Sequence, residues 1–231
     1  MFKYRSKERE LLDQEEIPKE DLFQNLRELD FINHWLGGYT ISFSGLRQIL
    51  RPDQKYTFVD IGCGGGDTLK RIKKWRTKGG YHVDLHGIDL KPVCIQYARN
   101  NPGNAGINFI CDDYRNIYQH IEKIDIIHAC LFCHHLSESE LIELVRFAGN
   151  HQAVLLINDL ERSPVAYYAI RILTRLFSKS YLVKNDAPLS VLRGFKKKEW
   201  LEILQKSGAV RYTVRNKWAF RHEIIVYGTT N

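Results

Sequence analysis

The segment Val59-Asp60-Ile61-Gly62-Cys63-Gly64-Gly65-Gly66-Asp67-Thr68-Leu69 runs from an apolar strand end through four glycines into what reads as the first turn of a helix. Glycines let the backbone turn sharply there and approach a ligand without a Cβ in the way. A strand that turns directly into a helix is the opening unit of a parallel α/β sheet, and the residues that follow repeat it. Short apolar runs near 56–61, 82–88, 107–111, 124–130 and 153–158 read as strands, and helical patterns near 67–78, 91–100 and 137–149 separate most of them. This alternation implies right-handed crossovers, a doubly wound Rossmann-like sheet, and ligands held at the carboxyl ends of the strands.

Both flanks depart from the alternation. Upstream, Leu22, Leu26, Leu29, Ile32 and Leu36 recur at helical spacing after Pro18, predicting an amphipathic helix within residues 7–36 that stops at Gly37-Gly38. A second helix is expected over 44–50, ended by Arg51-Pro52-Asp53. Residues 1–54 are thus expected to form a helical lid ahead of a domain over 55–231. Downstream, the pattern predicts a helix over 164–178, a loop through Ser190, a helix near 197–206, and strands near 210–216 and 222–228 that pair as an antiparallel hairpin. The segment 162–193 reads as a cap inserted over the substrate.

With 231 residues, 44% hydrophobic and 26% charged, the chain can bury one large core. The basic start, Met1 to Lys7, leads into no apolar run, and no stretch approaches the roughly 18 apolar residues of a membrane span, so a cytoplasmic protein is expected. Five irregularly spaced cysteines, mostly inside strand-like runs, argue against a disulfide framework.

The flanks of the glycine turn constrain its ligand. A dinucleotide fingerprint would need Gly or Ala at position 67, but Asp67 stands there, at the helix N-terminus where a pyrophosphate would sit. A phosphate loop would need Lys-Ser/Thr after the glycines, and none follows. A cationic ligand suits the same residues: S-adenosylmethionine carries a sulfonium and an ammonium, which carboxylates such as Asp60 attract. Asp89 ends the second strand, where a carboxylate can accept both ribose hydroxyls, and Cys111-Asp112-Asp113-Tyr114 ends the third, offering an acceptor to the adenine amino group.

Taken in order, Val59 to Leu69, Asp89, Asp112 and Asp125-Ile126-Ile127-His128-Ala129-Cys130 resemble the motifs of class I S-adenosylmethionine-dependent methyltransferases over about residues 56–160. The resemblance implies a seven-stranded sheet, mostly parallel with the last strand antiparallel, and S-adenosylhomocysteine (SAH) as product. Cofactor contacts are accordingly expected at Asp60, Gly62, Cys63, Gly64 and Gly66, at Asp89 and Leu90, and at Asp112, Asp113, Tyr114 and Cys130.

Methyl transfer is an in-line displacement, so alignment and exclusion of water matter most. His134 and His135 follow the fourth strand at the rim where the methyl group should point, and one of them is a candidate base for a phenolic acceptor. Packing, or capping of the helix near Ser137, would explain them equally well. The C-x-x-C-H run at 130–134 suggests haem or zinc only superficially, and no metal is expected. In the cap, Arg171, Arg175 and Lys179 form one basic stripe beside apolar Tyr167, Ile170, Leu173 and Phe177. A lid over a hydrophobic substrate fits that pattern, and so does peripheral contact with an anionic membrane. Tyr167, Arg171 and Arg193 are the substrate-binding candidates.

The N-terminal helix and the cap resemble those of bacterial small-molecule methyltransferases, of the ubiquinone, menaquinone and polyketide or phenolic-lipid types, which implies O-methylation of a phenolic, quinone-like or polyketide-derived acceptor. The alternative is an RNA or protein methyltransferase, because residues 171–221 hold thirteen Lys/Arg against three Asp/Glu within a net charge of +7. Against nucleic acid stand the lack of interleaved aromatic and basic residues and of an Asn/Asp-Pro-Pro-Tyr/Phe motif after the fourth strand. Nothing in the sequence sets an oligomeric state.

Overall fold

The computed structural model describes residues 2–14 and 16–229, so the stretch expected to turn helical from residue 7 crosses one position, 15, that lies outside the described residues. After a short 3-10 turn at Leu11–Asp13 come helices α1 (Lys19–Trp35) and α2 (Gly38–Ile49). The alternating unit follows as β1 (Lys55–Ile61), α3 (Asp67–Gly79), β2 (His82–Asp89), α4 (Pro92–Asn100), β3 (Asn108–Cys111), β4 (Ile126–Cys130), α5 (Glu138–Asn150) and β5 (Val154–Leu160). The chain closes with α6 (Pro164–Phe177), α7 (Tyr181–Arg193), α8 (Lys197–Ser207), β6 (Ala209–Lys217) and β7 (Arg221–Thr229).

The seven strands form one sheet in the order β3-β2-β1-β4-β5-β7-β6. β1 to β5 pair in parallel, while β7 runs antiparallel to both β5 and β6. Strand order reverses between β1 and β4, which opens a crevice beyond their carboxyl ends.

Each inner strand is buried on both sides, so alternate residues feed two cores. Val59, Ile61, Ile127, Leu155 and Ile157 pack with Trp200, Leu141, Leu144 and Ile203 of α5 and α8. Phe58, Ile126, Leu156 and Ile225 face Leu46, Leu69, Ile72 and Ile95 of α2, α3 and α4. α2 lies so close to β5 that a Cβ on Gly45 would come within 2.4 Å of Leu156 Cδ1.

The structure departs from the sequence reading at three places. α2 starts six residues before the expected position, because Gly37 takes a left-handed turn (φ 71°) that lets a new helix begin immediately after α1. The described residues ahead of Pro18 form no long helix; they lie as an extended arm around the short turn. The expected loop through Ser190 is helix α7, despite Pro188 inside it. Burial of Leu182, Val183, Leu189 and Val191 outweighs the one backbone bond that proline removes, and Ser180 caps the start by accepting the Val183 N–H. Among the described residues no helix is long and apolar enough to cross a membrane.

Candidate active site

The first of two adjoining cavities, about 410 Å³, lies at the switch point between β1 and β4. The glycine turn forms its floor. Gly62, Gly64 and Gly66 all have positive φ, and a Cβ on Gly62 would sit 2.3 Å from the Phe132 ring. Asp89 ties the turn to β2: Oδ2 accepts the Gly64 N–H at 2.9 Å and Oδ1 the Lys91 N–H at 2.9 Å. Each oxygen keeps a lone pair for a ligand. Burial raises the Asp89 carboxyl above its ordinary range, with the two N–H groups opposing.

Gly62, Cys63, Gly64, Asp89, Leu90, Asp112, Asp113, Tyr114 and Cys130 line this cavity. Tyr114, its phenol pushed up to about 12 by burial, meets Phe132 edge-on at 5.7 Å. Asp112 is held by its neighbours: Oδ1 accepts from the Asp113 backbone and the Asn116 amide, and Oδ2 pairs with His120 Nε2 at 2.8 Å. Asp113 caps the following 3-10 turn and pairs with Arg115 at 2.8 Å. Gly66 is absent from the lining; it packs against Phe109 and Asn104 and starts α3.

Asp60 lies elsewhere than expected. Its side chain points from β1 into the core under α2, where it shares a 2.7 Å hydrogen bond with His128 Nδ1. The chain of bonds continues from His128 Nε2 to Ser42 (2.9 Å), then from Asn158 to Ser42 (3.0 Å). Asp60 thus belongs to a buried network joining α2 to the sheet and lines neither cavity.

On the α1 side of the cleft the lining carboxylates include Asp67 and, from α1 itself, Asp30. Lys70 pairs with Asp67 at 2.6 Å, Arg71 with Asp30 at 2.9 Å, and Tyr39 donates to Asp30 at 2.6 Å. Beside them Asn33 Oδ1 is buried without a hydrogen-bond partner. Sequence reasoning missed Asp30, Asn33 and Tyr39, although all three stand on the polar side of the predicted lid helix or just past its glycine stop.

The second cavity, about 340 Å³, is walled mainly by apolar side chains of α1, α6, α7 and the β6–β7 turn, among them Ile32, Leu36, Ala169, Ile170, Leu173 and Trp218. It meets the first at Leu12, Leu29, Leu131 and His135. Leu131 stands at that junction with φ 53°, a left-handed conformation strained for a side chain of its size.

His134 and His135 form a 3-10 turn after β4, and both line the second cavity. They do not cap α5; Ser137 and Glu140 do so reciprocally. His134 Nδ1 bonds to Asp159 Oδ1 at 2.7 Å, and Asp159 Oδ2 also accepts the His134 backbone N–H at 3.0 Å. Burial alone would raise Asp159, but the charge and hydrogen bond of His134 hold it below its usual value. His135 Nδ1 lies 3.2 Å from Asp13 Oδ1. Both Nε2 atoms face Glu10, which the N-terminal arm delivers: His134 Nε2 is 3.6 Å from Oε1 and His135 Nε2 is 3.8 Å from Oε2. Burial pushes the Glu10 carboxyl up to about 7, against the pull of His135, Ser190 and Arg193.

Arg193, Tyr167 and Arg171 line neither cavity. Arg193 clamps the site from outside, donating to the carbonyls of His134 and His135 at 3.2 Å each and pairing with Asp13 at 3.1 Å. Arg5 joins it on the His134 carbonyl (2.9 Å) while lying over the Phe195 ring. Asp186 accepts the Leu11 and Leu12 N–H groups at 2.8 Å each, fixing the arm. Tyr167 is buried against Phe2, and Arg171 is exposed on α6 next to Arg175 and Lys179. The basic C-terminal segment is neutralised in part within the fold, through Lys206–Glu138 (2.6 Å), Lys217–Glu223 (3.2 Å) and Arg193–Asp13.

Fold, glycine turn and cleft together have the arrangement of the Rossmann-like methyltransferase fold. Residues 58–151 match the family model described as a methyltransferase domain. Among solved structures, the chain is similar to the plantazolicin methyltransferase BpumL in complex with SAH, at 20% identity and a TM-score of 0.64 over 89% of this chain and 87% of that one. It is also similar to a putative O-methyltransferase from Nostoc punctiforme PCC 73102 (10% identity, TM-score 0.53, 83% of this chain and 56% of that one). A third likeness is the CMeT domain of the citrinin polyketide synthase (15%, TM-score 0.54, 77% and 48%). No curated protein sequence matches the chain.

Proposed function

We propose that this enzyme methylates a hydroxyl group on a hydrophobic small molecule of phenolic, quinone-like or polyketide-derived character. The observation that carries the reading is the second cavity: an apolar chamber that opens into the cofactor cleft at Leu131 and His135 and presents Glu10, His134 and His135 to whatever fills it.

S-adenosylmethionine, bound in the first cavity, supplies an electrophilic methyl group. The residues there suit it. The unpartnered Asn33 Oδ1 and the carboxylates of Asp30 and Asp67 offer acceptors to an ammonium, Asp89 has lone pairs left for ribose hydroxyls, and Leu90, Asp112, Asp113 and Tyr114 surround the place for adenine. Gly62, Cys63 and Gly64 let the backbone come close, and Cys130 lies where β4 ends. Asp60 stays outside the cavity and ties β1 to β4 through His128.

On the acceptor side, Leu12, Leu29 and Leu131 exclude water from the junction, and His134 and His135 orient the hydroxyl toward it. The Asp159 contact fixes which face His134 presents. The plantazolicin methyltransferase BpumL, solved in complex with a monoazolic desmethylPZN analog and SAH, holds both ligands in a similar fold, which supports the reading. A nucleic-acid acceptor is disfavoured, because the cavity's lining is mainly apolar, with Ile170, Leu173 and Trp218 in it, and the arginine there, Arg221, is buried and hydrogen-bonded to Asn158.

The test is a panel of alkyl-substituted phenols and hydroquinones incubated with the enzyme and methyl-labelled cofactor. Label transfer that rises with the acceptor's apolar chain length is expected. Label found only in added RNA or protein would overturn the assignment.

A further inference from the structure

We propose that Glu10, His134 and His135 form a binding site for one divalent transition-metal cation at the wall of the acceptor cavity. The three side chains can each offer one ligand atom, all within 4.8 Å of one another, with His134 Nε2 3.6 Å from Glu10 Oε1 and His135 Nε2 3.8 Å from Glu10 Oε2. Those separations are too long for hydrogen bonds. They match a cation at about 2.0–2.2 Å from each atom, whose ligands stand about 3–4 Å apart.

The surroundings are those of a metal centre. His134 Nδ1 is hydrogen-bonded to Asp159 at 2.7 Å, while His135 Nδ1 lies 3.2 Å from Asp13 without the geometry of a hydrogen bond, and both Nε2 atoms lie toward Glu10. Carboxylates behind ligating histidines set ring orientation and basicity in metal sites. Three carboxylates gather around the two rings against two guanidiniums, Arg193, which pairs with Asp13 at 3.1 Å and lies 3.9 Å from Glu10, and Arg5, which is committed to backbone carbonyls, so a dication would answer the negative charge left over. Two nitrogens and one oxygen favour zinc, iron(II), cobalt(II) or manganese(II) over calcium. The cavity leaves further coordination positions open to a ligand.

Its use rests on the acceptor reading above. A hydroxyl that coordinates the cation gives up its proton to solvent; its oxygen then forms the bond to the methyl carbon as the carbon–sulfur bond breaks, the electron pair returning to sulfur. The cation keeps its charge throughout.

Calorimetry of the chelator-stripped full chain with zinc and cobalt(II) should show one equivalent bound at micromolar Kd or tighter. Glu10→Gln and His135→Gln should each weaken it at least tenfold while keeping the wild-type far-ultraviolet circular dichroism and a cooperative melt, which reports that they fold. Should either variant fail to fold, the wild-type cobalt spectrum decides. Visible d–d bands without thiolate charge transfer are expected; thiolate charge transfer would move the cation to a cysteine and overturn the site. No binding, or equal binding by folded variants, would also overturn it. Cation binding without methylation of any phenol would instead remove the acceptor reading and leave the site in place.

Discussion

The cofactor cleft and the acceptor cavity adjoin at four residues, yet they are built in opposite ways. The cleft draws its floor and far wall from strand ends and the turns that follow them, so Gly62 to Gly66, Asp89 and Asp112 to Tyr114 are contiguous motifs held by their own backbone bonds. The cavity is assembled from the N-terminal arm, α1, α6, α7 and the β6–β7 turn, and its polar groups meet only because Arg5, Arg193 and Asp186 hold the arm against the histidine turn. One half depends on local geometry, the other on long-range docking.

The sharpest way to break that contrast is Arg193→Met. It would leave buried Glu10, exposed Asp13 and the carbonyls of His134 and His135 without their guanidinium partner, which costs about 3 kcal/mol and lowers Tm by roughly 6–12 °C in a chain of this size. Acceptor turnover should collapse while the affinity of the remaining folded protein for S-adenosylmethionine stays close to wild type, measured by calorimetry below the new Tm. Equal losses on both sides would mean that the two halves are one cooperative unit.

Next in size is Asp89→Ala, which removes a carboxylate that supports Gly64 and Lys91 and lines the first cavity. Cofactor affinity should fall by on the order of 2 kcal/mol, roughly thirtyfold. Unaltered affinity would take Asp89 out of the binding site.

The same contrast explains what could be read from the sequence. The sheet, the glycine turn and the strand-end acids were legible because each is a short motif whose geometry follows from neighbouring residues. Asp60 misled because a strand alternates faces: next to the turn in sequence, it points into the core toward His128. Arg193 looked like a substrate contact because it ends an apparent loop; α7 puts it behind the histidines instead. The partnership of Glu10 with His134 and His135 carried no signal, since no spacing rule links an arm near the start of the chain to a turn after β4. Asp30 and Asn33 were hidden among the ordinary polar residues of an amphipathic helix.

Ala169→Trp probes the cavity alone. Ala169 lines it from α6 and is exposed, so an indole can enter without disturbing the core. The acceptor KM should rise about tenfold, equivalent to about 1.4 kcal/mol, with cofactor affinity within about twofold of wild type. A matching loss of cofactor affinity would show that the two cavities exchange space rather than merely touch.

The smallest effect is expected at Glu28, where α1 meets the corner between α6 and α7. Its carboxylate accepts the Ser178 hydroxyl and the backbone N–H groups of Lys179 and Ser180, at 3.0 and 3.1 Å for the latter two. Burial opposes ionisation, but these donors hold the carboxyl below its ordinary value. A lowered folded-state pKa contributes stability that is present above the unfolded carboxylate's pKa and lost as pH falls through the folded one. Glu28→Gln should therefore lower Tm at neutral pH by roughly 2–4 °C, about 1 kcal/mol, and the difference from wild type should shrink as the solution is made acidic. Cofactor affinity should not move. Acceptor KM should rise slightly, because the corner that Glu28 secures carries two of the four walls of the apolar cavity; a Tm difference independent of pH would assign the contact to packing rather than to the charge.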